Sequence, residues 1–202
     1  MACAAGLLDE PVDARNRRRV PELRCSISST DVADETYLRG LESKALTAIR
    51  SGFPRGIPPT AADMRNDHCP ECQGTAALFA SKHWDDVTAS DLAHNPALTL
   101  LTEAGVRYYL PALMVLCVEA PGALDCVPSG VVGLLSPPNG KPSARLAEMH
   151  RSFDDAQRAA VAAFLEVAAA REKWDRFPPE AFDTAPVSKP LQRAIAYWSG
   201  PN

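Results

Sequence analysis

A chain of 202 residues can bury one substantial hydrophobic core with tails to spare, and is short for two full domains. With 46% hydrophobic and 23% charged residues it reads as globular, and a formal net charge of -4 removes the electrostatic basis for nucleic-acid binding. No apolar run approaches the roughly 18 to 20 residues of a membrane span; the longest, over 109–118, is about half that and contains Pro111, so no membrane partner is expected.

Residues 1–29 mix Pro, Arg and acidic side chains without periodicity and read as a disordered leader or a misassigned start, and the basic cluster at Arg15, Arg17, Arg18 and Arg19 reads as a solvated charge run. The first residues lack a basic region ahead of their apolar ones, and Asp9 and Glu10 follow, which is not a secretory pattern. Six scattered cysteines then read as reduced thiols or metal ligands, and a cytoplasmic location is expected.

A helical domain is expected over residues 30–175. Its first helix should begin near Asp31 or Asp34, with Leu38, Leu41, Ala45, Leu46 and Ile49 on one stripe and Gly52 as its C-cap. The prolines of 53–59 make an extended link, pinned to the core by Phe53 and Ile57. A second helix starts at His68-Cys69-Pro70-Glu71-Cys72 and runs to about Lys82, with Pro70 in the first helical position and Gly74 as a weak point. Asp91, Asn95 and Pro96 mark turns or helix starts. Over 103–119, Val106, Tyr109, Leu110, Leu113, Met114 and Cys117 recur at helical spacing, and Pro111 should kink that helix unless it restarts there.

The Pro/Gly-rich stretch 121–142 holds one apolar patch, 131–135, which reads as a short strand or a buried loop. A helix over 154–173 follows, with Val161, Phe164, Leu165 and Ala168 on one face and Ser152 or Asp154 as N-cap. Residues 176–202 form a Pro-containing tail with a short helix over 188–198. Strand alternation is nearly absent, so the expected fold is all-α or mostly α: a compact single-domain bundle of four to five helices with Pro-rich connections.

The chemistry concentrates at the pentapeptide. In a helix Cys72 shares a face with His68 or with Cys69, whereas His68 and Cys69 diverge by about 100°. Zinc on His68, Cys69 and Cys72 therefore needs an irregular turn, and His83, His94, Cys117, Cys126 and His150 are the residues that could complete it, none of them in a second paired motif. As a redox pair, Cys69 at the helix start would have a lowered thiol pKa and Cys72 would resolve a mixed disulfide, but no βαβ context surrounds them and Glu71 opposes the shift. As core residues, both cysteines fill the buried face and His68 bonds a loop carbonyl. The spacing leaves all three readings open.

Beyond it, His83 precedes Trp84-Asp85-Asp86, where Trp84 reads as a core or pocket anchor and its neighbours do not face one another. Arg107, beside Tyr108 and Tyr109, can line a pocket or snorkel from the core. No phosphate loop, nucleophile elbow or His-Glu-x-x-His signature occurs.

Phe53-Pro54, His68-Cys69-x-Glu71-Cys72, Trp84, Leu100-Leu101-Thr102, Tyr109-Leu110-Pro111-Ala112, Phe153 with Gln157, and Phe164-Leu165 together resemble an uncharacterised bacterial family known as a domain of unknown function. The resemblance covers about residues 38–170, leaving the leader and the tail after Lys173 outside. It implies a single domain and importance for His68, Cys69, Glu71, Cys72, Trp84, Tyr109 and Pro111, and it carries no activity. The expected function is a small cytoplasmic binding or protein-interaction module organised around His68 to Cys72, with zinc as the cofactor if the site closes. The alternatives are a thiol- or metal-dependent enzyme using Cys69 or Cys72 with His68 in a pocket walled by Trp84 and Tyr109, and an immunity-type toxin-binding protein.

Overall fold

The computed structural model describes residues 29–65, 70–93, 100–124 and 127–200. The expected leader lies outside them apart from Ser29, as do His68, Cys69, His94, Asn95, Pro96 and Cys126. Among the described residues there are nine α-helices: α1 Ser29–Gly52, α2 Ala61–Met64, α3 Pro70–Phe79, α4 Ala89–Ala93, α5 Glu103–Glu119, α6 Val127–Leu135, α7 Ala144–Ser152, α8 Asp155–Arg176 and α9 Lys189–Trp198. They contain no strand, only a lone antiparallel bridge between Arg65 and Leu101. The mostly helical class is therefore correct, and the bundle of four to five helices is not. The additional elements are short helices, too brief to show a full apolar stripe and specified instead by their caps.

α5 is the central element. Eleven of its 17 residues are buried, as expected for a helix covered on nearly all sides. Its N-terminus is fixed by Thr102, whose side chain accepts from the Gly105 N–H while its hydroxyl donates to the Asp63 carbonyl at 2.7 Å and its N–H to the Met64 carbonyl at 3.0 Å. α5 continues as one helix through Pro111, which has no N–H to offer the Arg107 carbonyl.

The long helices α1 and α8 pack on one another, with Ala45 and Ile49 of α1 fully buried and Val161, Phe164 and Leu165 of α8 beside them in the core. Gly52 serves this contact rather than the left-handed cap its position suggests. A Cβ at Gly52 would lie 2.9 Å from the Ala156 carbonyl oxygen, and the left-handed glycine is Gly140, at φ 79°. Asp154, not Ser152, caps α8: its side chain accepts from the Gln157 N–H at 2.8 Å, and the Gln157 side chain accepts from the Asp154 N–H at 3.1 Å.

Three further expectations change. Phe53 is buried but Ile57 is 92% exposed, because the extended link leaves the core after its first residue. The apolar patch 131–135 is the C-terminal half of α6, whose Val127, Val131 and Leu135 recur every four residues on the buried side. α3 ends at Phe79, short of Lys82, where Ser81 takes a left-handed φ of 64° and turns the chain. The C-terminal helix α9 packs against α8 and α6; Trp198 is buried and its indole donates to the Leu135 carbonyl at 2.9 Å.

Candidate ligand-binding site

A pocket of about 340 Å³ opens where four pieces of chain converge: the 53–59 link, the helical turn Trp84–Asp86, the N-terminal half of α5, and the junction of α7 and α8. It falls at the small end of the range typical of small-molecule sites, roughly 300 to 1,000 Å³. Its apolar wall comes from Phe53, Pro54, Trp84, Pro111 and Phe153, and its polar groups from Arg107, Tyr108, Ser152 and Gln157. Phe53 and Phe153 meet edge to face with centroids 5.4 Å apart, which ties the link to the start of α8.

The link is held from outside by Arg55, which donates to Asp85 at 2.8 Å and to Asp86 at 2.7 Å. Hydrogen bonding and attraction from these carboxylates raise the Arg55 pKa further above its ordinary value. The pair is surface-exposed, so its energetic weight is modest and its effect is mainly positional. From inside, the Tyr108 hydroxyl donates to the Gly56 carbonyl at 3.0 Å, with His83 Nδ1 3.4 Å away. Burial raises the Tyr108 pKa, so the phenol stays neutral.

Trp84 is 5% exposed, and its indole N–H has no acceptor among the described residues. The contrast with Trp198, whose indole is satisfied, is informative, because a buried donor left unpaired costs about 1–3 kcal/mol. Arg107, half-buried on the same wall, makes no ion pair or hydrogen bond with a described residue and, among the described residues, is the only charged side chain lining the pocket. The Gln157 oxygen is occupied by the capping box, while no acceptor is recorded for its amide nitrogen among the described residues.

The structure brings Trp84, Arg107 and Pro111 together on this pocket, with His83 behind Tyr108. Tyr109 does not line it. Fully buried, it holds its ring against Phe79 and its hydroxyl against the carbonyls of Phe79 at 2.5 Å and Lys82 at 2.8 Å. Adjacent helical residues diverge by about 100°, and Tyr108 occupies the pocket side instead. Nothing in the sequence marks Tyr108 or Gln157 as a pocket residue; the one available signal is the Asp-x-x-Gln capping spacing, which fixes the orientation of Gln157.

Of the pentapeptide, Glu71 is exposed, its backbone carbonyl accepting the Thr75 hydroxyl at 2.9 Å, and Cys72 is buried at 3% exposure. His150 packs against the rings of both Tyr197 and Trp198, which also touch one another. Among the described residues no three His, Cys, Asp or Glu side chains gather as a metal site would require.

A second pocket of about 490 Å³ lies beside Cys117, Phe164, Arg171 and Leu191. Apart from the exposed Asp175, its charged groups are already engaged. Arg171 pairs with Glu42 at 2.6 Å and donates to the Cys117 and Val118 carbonyls, and Glu172 accepts from Ser188 and Arg176. Burial pushes the Cys117 thiol up to about 12, which leaves no thiolate nucleophile there near neutrality.

Searches among curated proteins and among solved structures gave no match. The sequence from the last residue of α2 to just past α9 is the informative part: residues 64–200 match the model of a family of unknown function (DUF6714), and the chain belongs to that family.

Proposed function

We propose that this protein is a cytoplasmic, non-catalytic binding module, and that its binding site is the Trp84 pocket rather than the pentapeptide. The observation that carries the reading is an aromatic-lined cavity walled by Trp84, whose buried indole N–H has no acceptor among the described residues. A bound molecule supplying an acceptor would remove the cost of that orphan donor, and the rings would bury its apolar part. The link, the Trp84 turn and α5 are fixed to one another by Arg55 and Tyr108, which favours a pre-formed site.

The test is a thermal-shift screen of a metabolite library on the full chain, repeated on Trp84→Phe. Compounds that raise the melting temperature of the native protein should lose that effect in Trp84→Phe. Hits that stabilise both proteins equally, or no hits at all, would contradict the proposal.

A further inference from the structure

We infer that the ligand is a small carboxylic acid carried on an aromatic or apolar body. This rests on the pocket being the binding site, and it follows from the charge of the lining. Among the described residues Arg107 is the one charged side chain there, and its guanidinium has no described acceptor; nor has the Gln157 amide nitrogen or the buried indole N–H of Trp84, a residue of the wall. The Tyr108 and Ser152 hydroxyls donate to the Gly56 and Met149 carbonyls, and the Gln157 oxygen accepts the Asp154 N–H, so none of these neutral groups balances the cation. No carboxylate of a described residue lines the pocket, and Asp85 and Asp86, next in sequence to Trp84, are both paired with Arg55.

Such a site matches an acceptor-only group. A carboxylate has about four lone-pair positions and no proton to place, and a planar guanidinium binds it in a fork. A neutral amide brings no charge to set against Arg107. The rings of Phe53, Trp84 and Phe153 accommodate the body of the acid.

The experiment compares phenylacetate with phenylacetamide by isothermal titration of the full chain, of Arg107→Gln and of Gln157→Glu. Gln157→Glu keeps the acceptor that the capping box needs, so α8 stays capped, but replaces a donor with a negative charge. The inference predicts that the acid binds more tightly than the amide. Each substitution should weaken the acid about tenfold or more, as expected for loss of a charge-assisted bond, and leave the amide little changed. Equal binding of acid and amide would overturn the inference while leaving the pocket as the site. Binding of neither probe, alongside library hits that depend on Trp84, would also overturn it; a library without Trp84-dependent hits would remove the pocket reading itself.

Discussion

The rings of Tyr108 and Tyr109 meet edge to face, with centroids 4.9 Å apart, yet their hydroxyls serve different partners. Tyr108 anchors the link at Gly56 and so shapes the pocket; Tyr109 closes the end of α3 through Phe79 and Lys82. Two substitutions of the same chemistry should therefore separate function from stability. Tyr109→Phe leaves two carbonyls without their shared donor and should cost about 1–3 kcal/mol in urea unfolding. Tyr108→Phe should cost less than about 1 kcal/mol and chiefly weaken ligand binding.

Gly52→Ala should destabilise the protein by about 1–3 kcal/mol, since the added methyl meets the Ala156 backbone and not a flexible side chain. Gly74→Ala offers the control. Nothing lies within 4 Å of a Cβ there, and the substitution should stabilise α3 by up to about 1 kcal/mol. Parallel urea titrations of both variants check the pair.

Asp154→Ala should cost about 1 kcal/mol by removing the cap of α8. The Gln157 oxygen accepts from the backbone N–H of residue 154, which alanine retains, and Asp154 does not line the pocket, so affinity for the pocket's ligand should change little. Calorimetric binding measurements on this variant, compared with urea unfolding, check that stability falls while binding holds.

Burial, and secondarily the Arg158 cation, hold the His150 pKa below its ordinary value. The unfolded chain then binds more protons than the folded one once the pH drops below about 6.5. The associated stability is fully present above that pH and is lost as pH falls toward the lower folded value. His150→Phe keeps a ring against Tyr197 and Trp198 and should flatten this part of the stability profile, measured by urea unfolding from about pH 7.5 to about pH 5.

The long helices were legible because their apolar residues repeat often enough to show a period: α5 spans the expected residues, and α8 is close to its expected span. α7 has few apolar residues, with Leu146 and Met149 buried, and is defined more by Ser143, which caps it, than by periodicity. Ile57 misled because an apolar residue in an extended link has no helical partners to reveal its side. Pro111 permits a continuous α5, since a single lost hydrogen bond is tolerable in a helix packed on nearly all sides. The family match, from 64 to 200, leaves α1 outside and takes in α9, unlike the expected span of about 38–170. α9 docks by Trp198 and by Ser136, which donates to the Pro190 carbonyl, contacts between segments that a local reading does not connect.

Trp84, Arg107 and Pro111 stood out by residue type, but their convergence with Phe53, Tyr108, Phe153 and Gln157 did not, because the site joins segments separated by about 20 to 40 residues at each step. Nothing local in the sequence distinguishes the unpaired indole of Trp84 from the paired one of Trp198. That difference arises only when the chain folds.

The most direct test observes the indole N–H resonances of the three tryptophans during titration with a stabilising ligand, assigned by single Trp→Phe substitutions. The account predicts a saturable downfield shift of the Trp84 signal as it gains an acceptor, while the already paired Trp198 and the exposed Trp174 move little. A ligand that saturates the protein and leaves the Trp84 resonance in place would contradict it.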